Sequence, residues 1–89
     1  MFYISLTVKI DMSFSFKNNL YAERCGSMLT QEDLAKETNV SRQTINAIEQ
    51  GRRVPSVYIA LRLAHVLHTS VERIFPLPKE FKKRNSTHV

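Results

Sequence analysis

One feature restricts the fold of this chain more than any other. Two short helical segments within Gln31–Gln50 are joined by only three or four residues. Each segment begins at a side chain that can cap a helix: Thr30, with Asp33 three residues later as in a capping box, and Ser41. So short a connection leaves no room for an antiparallel hairpin, and the two helices must therefore meet at a steep angle. This geometry predicts that the second helix, Arg42–Gln50, projects outward.

The two faces of this helix pair can be separated by residue type. Apolar side chains mark the inward side, and they are Leu34, Ala35, Val40, Ile45 and Ile48. Asn39 falls at the turn position that requires a positive φ, which Asn tolerates better than any residue but Gly. The outward face of the second helix then contains no acidic side chain, and it consists of Arg42, Gln43, Thr44, Asn46 and Ala47.

This outward face has the chemistry of base recognition in the major groove of DNA. Arg pairs bidentately with guanine, Gln and Asn pair with adenine, and the methyl groups of Thr or Ala contact thymine. Gln31, at the start of the preceding helix, is placed to donate to a phosphate with help from free backbone N–H groups. We therefore expect contacts to the DNA backbone from Gln31, Ser41, Arg52 and Arg53.

Helix signals of the same kind lie on both sides of this pair. Asn18 or Asn19 can cap a first helix, Ser56 caps a fourth, and Ser70 opens a last short turn that prolines close. The first predicted helix runs through residues 20–25 and ends near residues 26–28, and the others cover residues 31–37, 42–50, 57–67 and 71–75. Because every connection is short, the sequence predicts an all-α bundle of five helices over residues 18–77.

Two further expectations concern the core. Cys25 is the only cysteine, which excludes an intramolecular disulfide and agrees with a reducing cytosol. We expect it to be a small buried hydrophobe on the first helix. The apolar face expected on the fourth helix comprises Val57, Ala60, Leu61, Ala64, Val66 and Leu67, widened by Ile59 and Leu63.

Residues 1–17 follow a different period from the rest of the chain. Every even position from Phe2 to Phe16 is apolar and most odd positions are polar, which is the pattern of a β-strand. The predicted bundle is complete without this leader, so a second copy of the chain is the edge most available to it. Two alternatives remain open: a chain that starts near Met12 with a partly disordered leader, and a strand that reads DNA as a ribbon. We expect a dimer, with contacts from Phe2, Ile4, Leu6, Val8, Ile10, Ile74 and Phe75.

The charge of the chain is unevenly distributed. Thirteen Lys and Arg against eight Asp and Glu give a net charge of +5, which indicates a polyanionic partner. Residues 42–62 hold four arginines and one glutamate, whereas residues 18–41 are net acidic; a basic, flexible tail follows at residues 78–89. No apolar run is long enough to span a membrane, and the leader is a poor signal peptide. We therefore expect a cytoplasmic protein that binds double-stranded DNA and no membrane.

The sequence offers little for chemistry other than binding. It has no nucleophile and base pair, no glycine-rich phosphate loop and no paired carboxylates at a useful spacing, so we expect no enzyme and no cofactor. His65 and His68 lie three residues apart on one predicted helix, but no third ligand is near them. We therefore expect no metal site.

The stretch TQEDLAKETNVSRQTINAIEQGRRVPS, continued by IALRLAHVL and SVERIF, resembles the phage repressor and Cro type of helix-turn-helix, the Xre family, from about Asn18 to Phe75. The resemblance implies a five-helix bundle whose third helix enters the major groove, usually as a dimer on a palindromic operator. It also implies that Gln31 binds phosphate and braces the recognition helix. The principal base and backbone contacts implied are Arg42, Gln43 and Thr44, with Asn46 and Ala47 at positions that vary with the operator.

The same resemblance implies a structural ion pair between Arg24 and Glu49, mostly buried, because either charge alone would be costly to bury. Met28, Asn39 and His68 stand where the family usually has glycine at a helix end. Met28 raises two expectations: the first helix ends sooner, at Gly26, or the alignment slips there.

The function predicted from these observations is sequence-specific regulation of transcription by a homodimeric repressor that reads an operator with Arg42–Gln50. The alternative is the antitoxin component of a toxin-antitoxin pair, which would bind a partner protein as well as DNA. A more remote alternative is an adaptor that binds only protein, which would show no salt-dependent binding to DNA.

Overall fold

The structure is a computed structural model that describes residues 15–78. This part of the chain contains no strand and consists of five helices: α1 Leu20–Gly26, α2 Gln31–Thr38, α3 Arg42–Glu49, α4 Val57–Val66 and α5 Val71–Ile74. The prediction of an all-α, five-helix bundle is confirmed. The predicted pairing of the leader, with Phe2, Ile4, Leu6, Val8 and Ile10, falls outside the described residues, as does almost all of the basic tail.

Side-chain caps start four of the five helices. Thr30 Oγ1 accepts from the Asp33 N–H at 3.0 Å, and Asp33 Oδ2 accepts from the Thr30 N–H at 3.1 Å, which completes a capping box. This hydrogen bond from the Thr30 backbone lowers the pKa of the Asp33 carboxyl. Ser41, Ser56 and Ser70 each accept from the backbone N–H three residues later. Local sequence therefore sets where these helices begin.

Left-handed residues end the first four helices. The φ angles are 62° at Met28, 61° at Asn39, 78° at Gly51 and 55° at His68. Of the two expectations raised by Met28, the earlier helix end is confirmed, since α1 ends at Gly26, and the left-handed position still falls at Met28. The register expected from the family is kept, although a left-handed conformation costs a residue other than glycine roughly 1–2 kcal/mol.

The core lies where α2, α3 and α4 pack together, with α1 and α5 closing its ends. On α4 the buried stripe is Ala60, Leu63, Ala64 and Leu67, an i, i+3, i+4, i+7 series. Val57 and Leu61, which we expected in this face, are 76% and 55% exposed, and they line an open surface pocket beside Ala60 and Ala64. The other side chains that are fully enclosed are Leu20, Leu34, Thr38, Ile45, Ile48 and Ile74.

Two further predictions about burial were wrong. Cys25 is exposed, because α1 buries Leu20 and Arg24, four residues apart, and Cys25 lies on the other side of this short helix. Ile74, which we expected at a dimer contact, is fully buried in the core of its own chain. Its side chain therefore has no surface to offer a second copy.

Residues 15–19, here called the N-terminal strap, pack against the end of α3. The Phe16 N–H donates to the Gly51 carbonyl at 2.8 Å, and the Phe16 ring stacks on Phe75 at 5.6 Å between ring centroids. Asn18 Nδ2 donates to the Ile48 carbonyl at 2.9 Å, and Asn18 Oδ1 accepts from the N–H of Leu20, the first residue of α1. Asn18, one residue before the N-cap position Asn19, thus satisfies the first N–H of α1 and a carbonyl in the last turn of α3.

Candidate DNA-binding surface

The helix α3 is held by one face and exposes the other. Ile45 and Ile48 are fully buried, whereas Arg42 and Gln43 are exposed on the surface of the bundle. The remaining predicted base contacts, Thr44, Asn46 and Ala47, are half-buried. The five side chains assigned to base contacts therefore lie outside the core, with the two longest ones most open to solvent.

The hydroxyl groups of Ser41 and Thr44 form a pair at the start of α3. Ser41 Oγ accepts from the Thr44 N–H at 3.0 Å and lies 2.8 Å from Thr44 Oγ1. One of the two hydroxyl hydrogens joins these oxygens, so the other remains free to donate. This pair can offer one hydroxyl hydrogen to a phosphate while it still caps the helix.

An ion pair joins α1 to the end of α3. The Arg24 guanidinium contacts the Glu49 carboxylate through Nε and through Nη2, and its Nη1 donates to the Leu29 carbonyl at 2.8 Å. The two side chains are 11% and 4% exposed. The hydrogen bond to Glu49 raises the pKa of Arg24. Because Glu49 is the one acidic residue of α3, the pair removes the only negative charge from this helix.

Gln31 connects this ion pair to the reading face. Its Nε2 donates to Glu49 Oε1 at 3.0 Å and to Asn46 Oδ1 at 3.1 Å. Since a side-chain amide has two N–H donors, both are used inside the protein. The donor that Gln31 can offer a phosphate is therefore its backbone N–H, in the first turn of α2.

Asn46 receives a second hydrogen bond, from a residue that sequence reasoning missed. Gln50 Nε2 donates to Asn46 Oδ1 at 3.3 Å, while Gln50 Oε1 accepts from Arg52 Nε at 3.2 Å. Gln50 follows Asn46 by four residues and so lies on the same helix face, and this spacing is the sequence signal that could have identified it. The amide of Asn46 is therefore held from two sides.

Three arginines near the two ends of α3 carry the basic charge of this surface. Residues 42–62 contain a fourth arginine, Arg62, but its guanidinium is used inside the protein. It donates to the carbonyl oxygens of Glu37 and Thr38 at the end of α2, at 3.1 and 3.2 Å. Arg62 therefore acts as a helix cap. The exposed basic side chains beside α3 are Arg42, Arg52 and Arg53.

Between residues 15 and 78, no group of three His, Cys, Asp or Glu side chains is arranged to hold a metal ion. No helix within the same stretch has the length and apolar character needed to cross a membrane.

A short turn followed by a capped helix that presents an acid-free face outward is the arrangement of helix-turn-helix proteins that bind DNA. The sequence profile of the Helix-turn-helix family matches residues 20–74, and the chain belongs to this family, in its Xre and Cro-like branch. The family includes transcriptional regulators, and the predicted resemblance is confirmed.

Similar proteins come from both archaea and bacteria. An uncharacterized HTH-type transcriptional regulator of Methanocaldococcus jannaschii is 49% identical over 59 residues, which cover 66% of this chain and 89% of that protein. The uncharacterized HTH-type transcriptional regulator YgzD of Bacillus subtilis is 36% identical over 64 residues, which cover 72% of this chain and 97% of that protein. Among solved structures, the restriction-modification controller protein C.AhdI of Aeromonas hydrophila aligns with a TM-score of 0.61 and 30% identity, over 64% of this chain and 86% of that chain.

Proposed function

We propose that this DNA-binding regulator is a homodimeric repressor that reads an operator through the outward face of α3. The observation that carries the proposal is the absence of free negative charge on that face, because Glu49 is 4% exposed and paired with Arg24. An unpaired carboxylate there would repel the phosphates on both sides of the groove.

Base recognition is assigned to the exposed end of α3. Arg42 and Gln43 are long, exposed side chains at the start of the helix, which is the end that usually contacts base edges in this class. Thr44, Asn46 and Ala47 continue the same face one turn further. Arg42 is assigned to guanine and Gln43 to adenine.

Phosphate contacts are assigned to the flanks of this helix. Arg52 and Arg53 are exposed directly after the left-handed Gly51, and they carry charge without sequence preference. The free hydroxyl hydrogen of the Ser41 pair and the backbone N–H of Gln31 are the donors on the other side.

The dimer remains a proposal that depends on the alternating apolar pattern of residues 2–16 and on the usual assembly of the family. Light scattering after size-exclusion chromatography should give the mass of two chains for the full protein. A version that starts at Met12 should give the mass of one. An unchanged dimer of the shorter chain would refute pairing of the leaders.

Selection of bound duplexes from a random DNA pool tests the operator proposal, and affinities for the selected site then test the residues. Arg42→Ala and Gln43→Ala should each cost about 1–3 kcal/mol on the selected site and much less on random DNA. Arg52→Ala should weaken binding to both and reduce the salt slope by about one. Arg73→Ala removes the same charge from α5 and is the matched control. Equal losses on both DNAs for Arg42→Ala would contradict base recognition.

A further inference from the structure

Two glutamines, Gln31 and Gln50, orient the side-chain amide of Asn46, and each glutamine is itself fixed by a charged neighbour. Asn46 Oδ1 accepts from Gln31 Nε2 at 3.1 Å and from Gln50 Nε2 at 3.3 Å. An amide oxygen has two acceptor sites, so these two hydrogen bonds fill them. The oxygen of Asn46 is therefore occupied within the protein.

The side-chain amides of Gln31 and Gln50 are each oriented by a charged neighbour that can act only as an acceptor or only as a donor of hydrogen bonds. Gln31 lies 3.0 Å from Glu49 Oε1, and a carboxylate only accepts, so Gln31 must turn its nitrogen toward it. Gln50 lies 3.2 Å from Arg52 Nε, and a guanidinium only donates, so Gln50 must turn its oxygen toward it. Each glutamine then has its nitrogen available for Asn46.

The nitrogen of Asn46 is the part that remains available. No residue between 15 and 78 accepts a hydrogen bond from Asn46 Nδ2, and no buried side-chain nitrogen or oxygen in that part of the chain lacks a partner. Asn46 Nδ2 is therefore open to solvent, and Asn46 offers donors to a ligand at this surface.

We propose that Asn46 reads guanine, and not the adenine that an asparagine usually pairs with, because its oxygen is held by Gln31 and Gln50. The proposal rests on the proposed function, in which this face enters the major groove. Pairing with adenine needs the amide oxygen to accept from N6 while the nitrogen donates to N7. Guanine presents two adjacent acceptors, O6 and N7, and thus suits a group that can only donate.

The buried ion pair thereby takes part in specificity. Glu49 is held by Arg24, it orients Gln31, and Gln31 in turn orients Asn46. Arg24, Glu49 and Gln31 act as positioning residues, since none of them needs to touch a base.

The test is selection from a random duplex pool with the full chain, followed by competition binding on the selected site. The base position whose preference disappears in Asn46→Ala should be guanine in the unchanged protein. Asn46→Asp keeps an oxygen for both glutamines and replaces the donor by an acceptor, so that position should change to cytosine, whose N4 donates. The preference should shift by about fivefold or more.

A second variant releases the oxygen of Asn46. Gln31→Ala combined with Gln50→Ala frees both acceptor sites, so adenine should gain on guanine at the same position by about fivefold or more. Asn19→Ala is the matched control, because it removes an exposed amide that bonds only the Arg73 carbonyl, and it should leave the position read by Asn46 unchanged. Circular dichroism melting verifies that each variant is folded, and Asn46→Asp remains decisive if the double variant is not.

The outcomes separate this inference from the proposed function. A selected site with adenine at the position sensitive to Asn46→Ala, or a site that Asn46→Ala and Asn46→Asp leave unchanged, overturns the assignment to guanine while operator reading stands. Failure of the unchanged protein to enrich any sequence overturns operator reading, and the assignment to guanine with it.

Discussion

Removal of Arg24 with Glu49 left in place should destabilise the bundle more than any surface change. The Glu49 side chain is 4% exposed, and in Arg24→Ala it would lose both contacts to the guanidinium and keep only the hydrogen bond from Gln31. A buried charge that loses its partner costs about 3–5 kcal/mol. For a domain of this size each kcal/mol corresponds to about 4–8 °C in melting temperature. We therefore expect the melting temperature to fall by about 12 °C at the least.

Replacement of both partners should be far less harmful. In the double variant Arg24→Met with Glu49→Leu no unpaired charge remains, and apolar replacements of buried ion pairs are often neutral or stabilising. Its free energy of unfolding should therefore lie closer to that of the unchanged protein than to that of Arg24→Ala. Gln31 would lose an acceptor, so sequence discrimination at the base read by Asn46 should weaken even where stability recovers.

Urea denaturation followed by circular dichroism measures these differences. The matched control is Arg73→Ala, which breaks the Arg73–Glu23 pair, whose side chains are 72% and 25% exposed and 3.4 Å apart. An exposed pair of this kind contributes at most about 1 kcal/mol. If Arg24→Ala lost no more than this control, the reasoning from buried charge would be refuted.

Three further predictions concern the strap, the end of α3 and the capping box. Asn18→Ala removes three hydrogen bonds of 2.8–2.9 Å and should cost about 2–3 kcal/mol in urea denaturation. Asn19→Ala, which loses one exposed side-chain bond, should cost less than half as much. Gly51→Ala should lower the melting temperature, because φ is 78° and the new Cβ would lie 2.8 Å from a strap side-chain oxygen and 3.1 Å from strap backbone atoms. Movement of the strap could relieve only the contacts, so an unchanged melting temperature would contradict the predicted backbone strain. The pKa of Asp33 is lowered by its capping bond, so the stability it adds is present above the ordinary value of 3.8 and is lost as the pH falls through the lower, folded value. Melting curves over a pH series should therefore show a smaller acid-dependent loss for Asp33→Asn than for the unchanged protein.

Most of the helix boundaries could be predicted from the sequence because capping is local. Thr30, Ser41, Ser56 and Ser70 each bond to a backbone N–H only three residues away, so their effect does not depend on the rest of the fold. The inward and outward sides of the helix pair could also be predicted, because the spacing of apolar residues along a helix marks its buried face. The exposure of Cys25 could not be predicted, because it depends on how a short helix is rotated against its neighbours.

The sequence by itself determined the class of this protein: a helix after a short turn with an acid-free outward face, in an all-α bundle that can bind DNA. Only the tertiary structure decided which polar groups of that helix remain available, because the deciding contacts join residues far apart in the chain. Gln31 reaches Asn46 across 15 positions, and Asn18 reaches Ile48 across 30. A hydrogen bond between distant residues depends on the angle and distance at which helices pack, and residue type alone does not specify these.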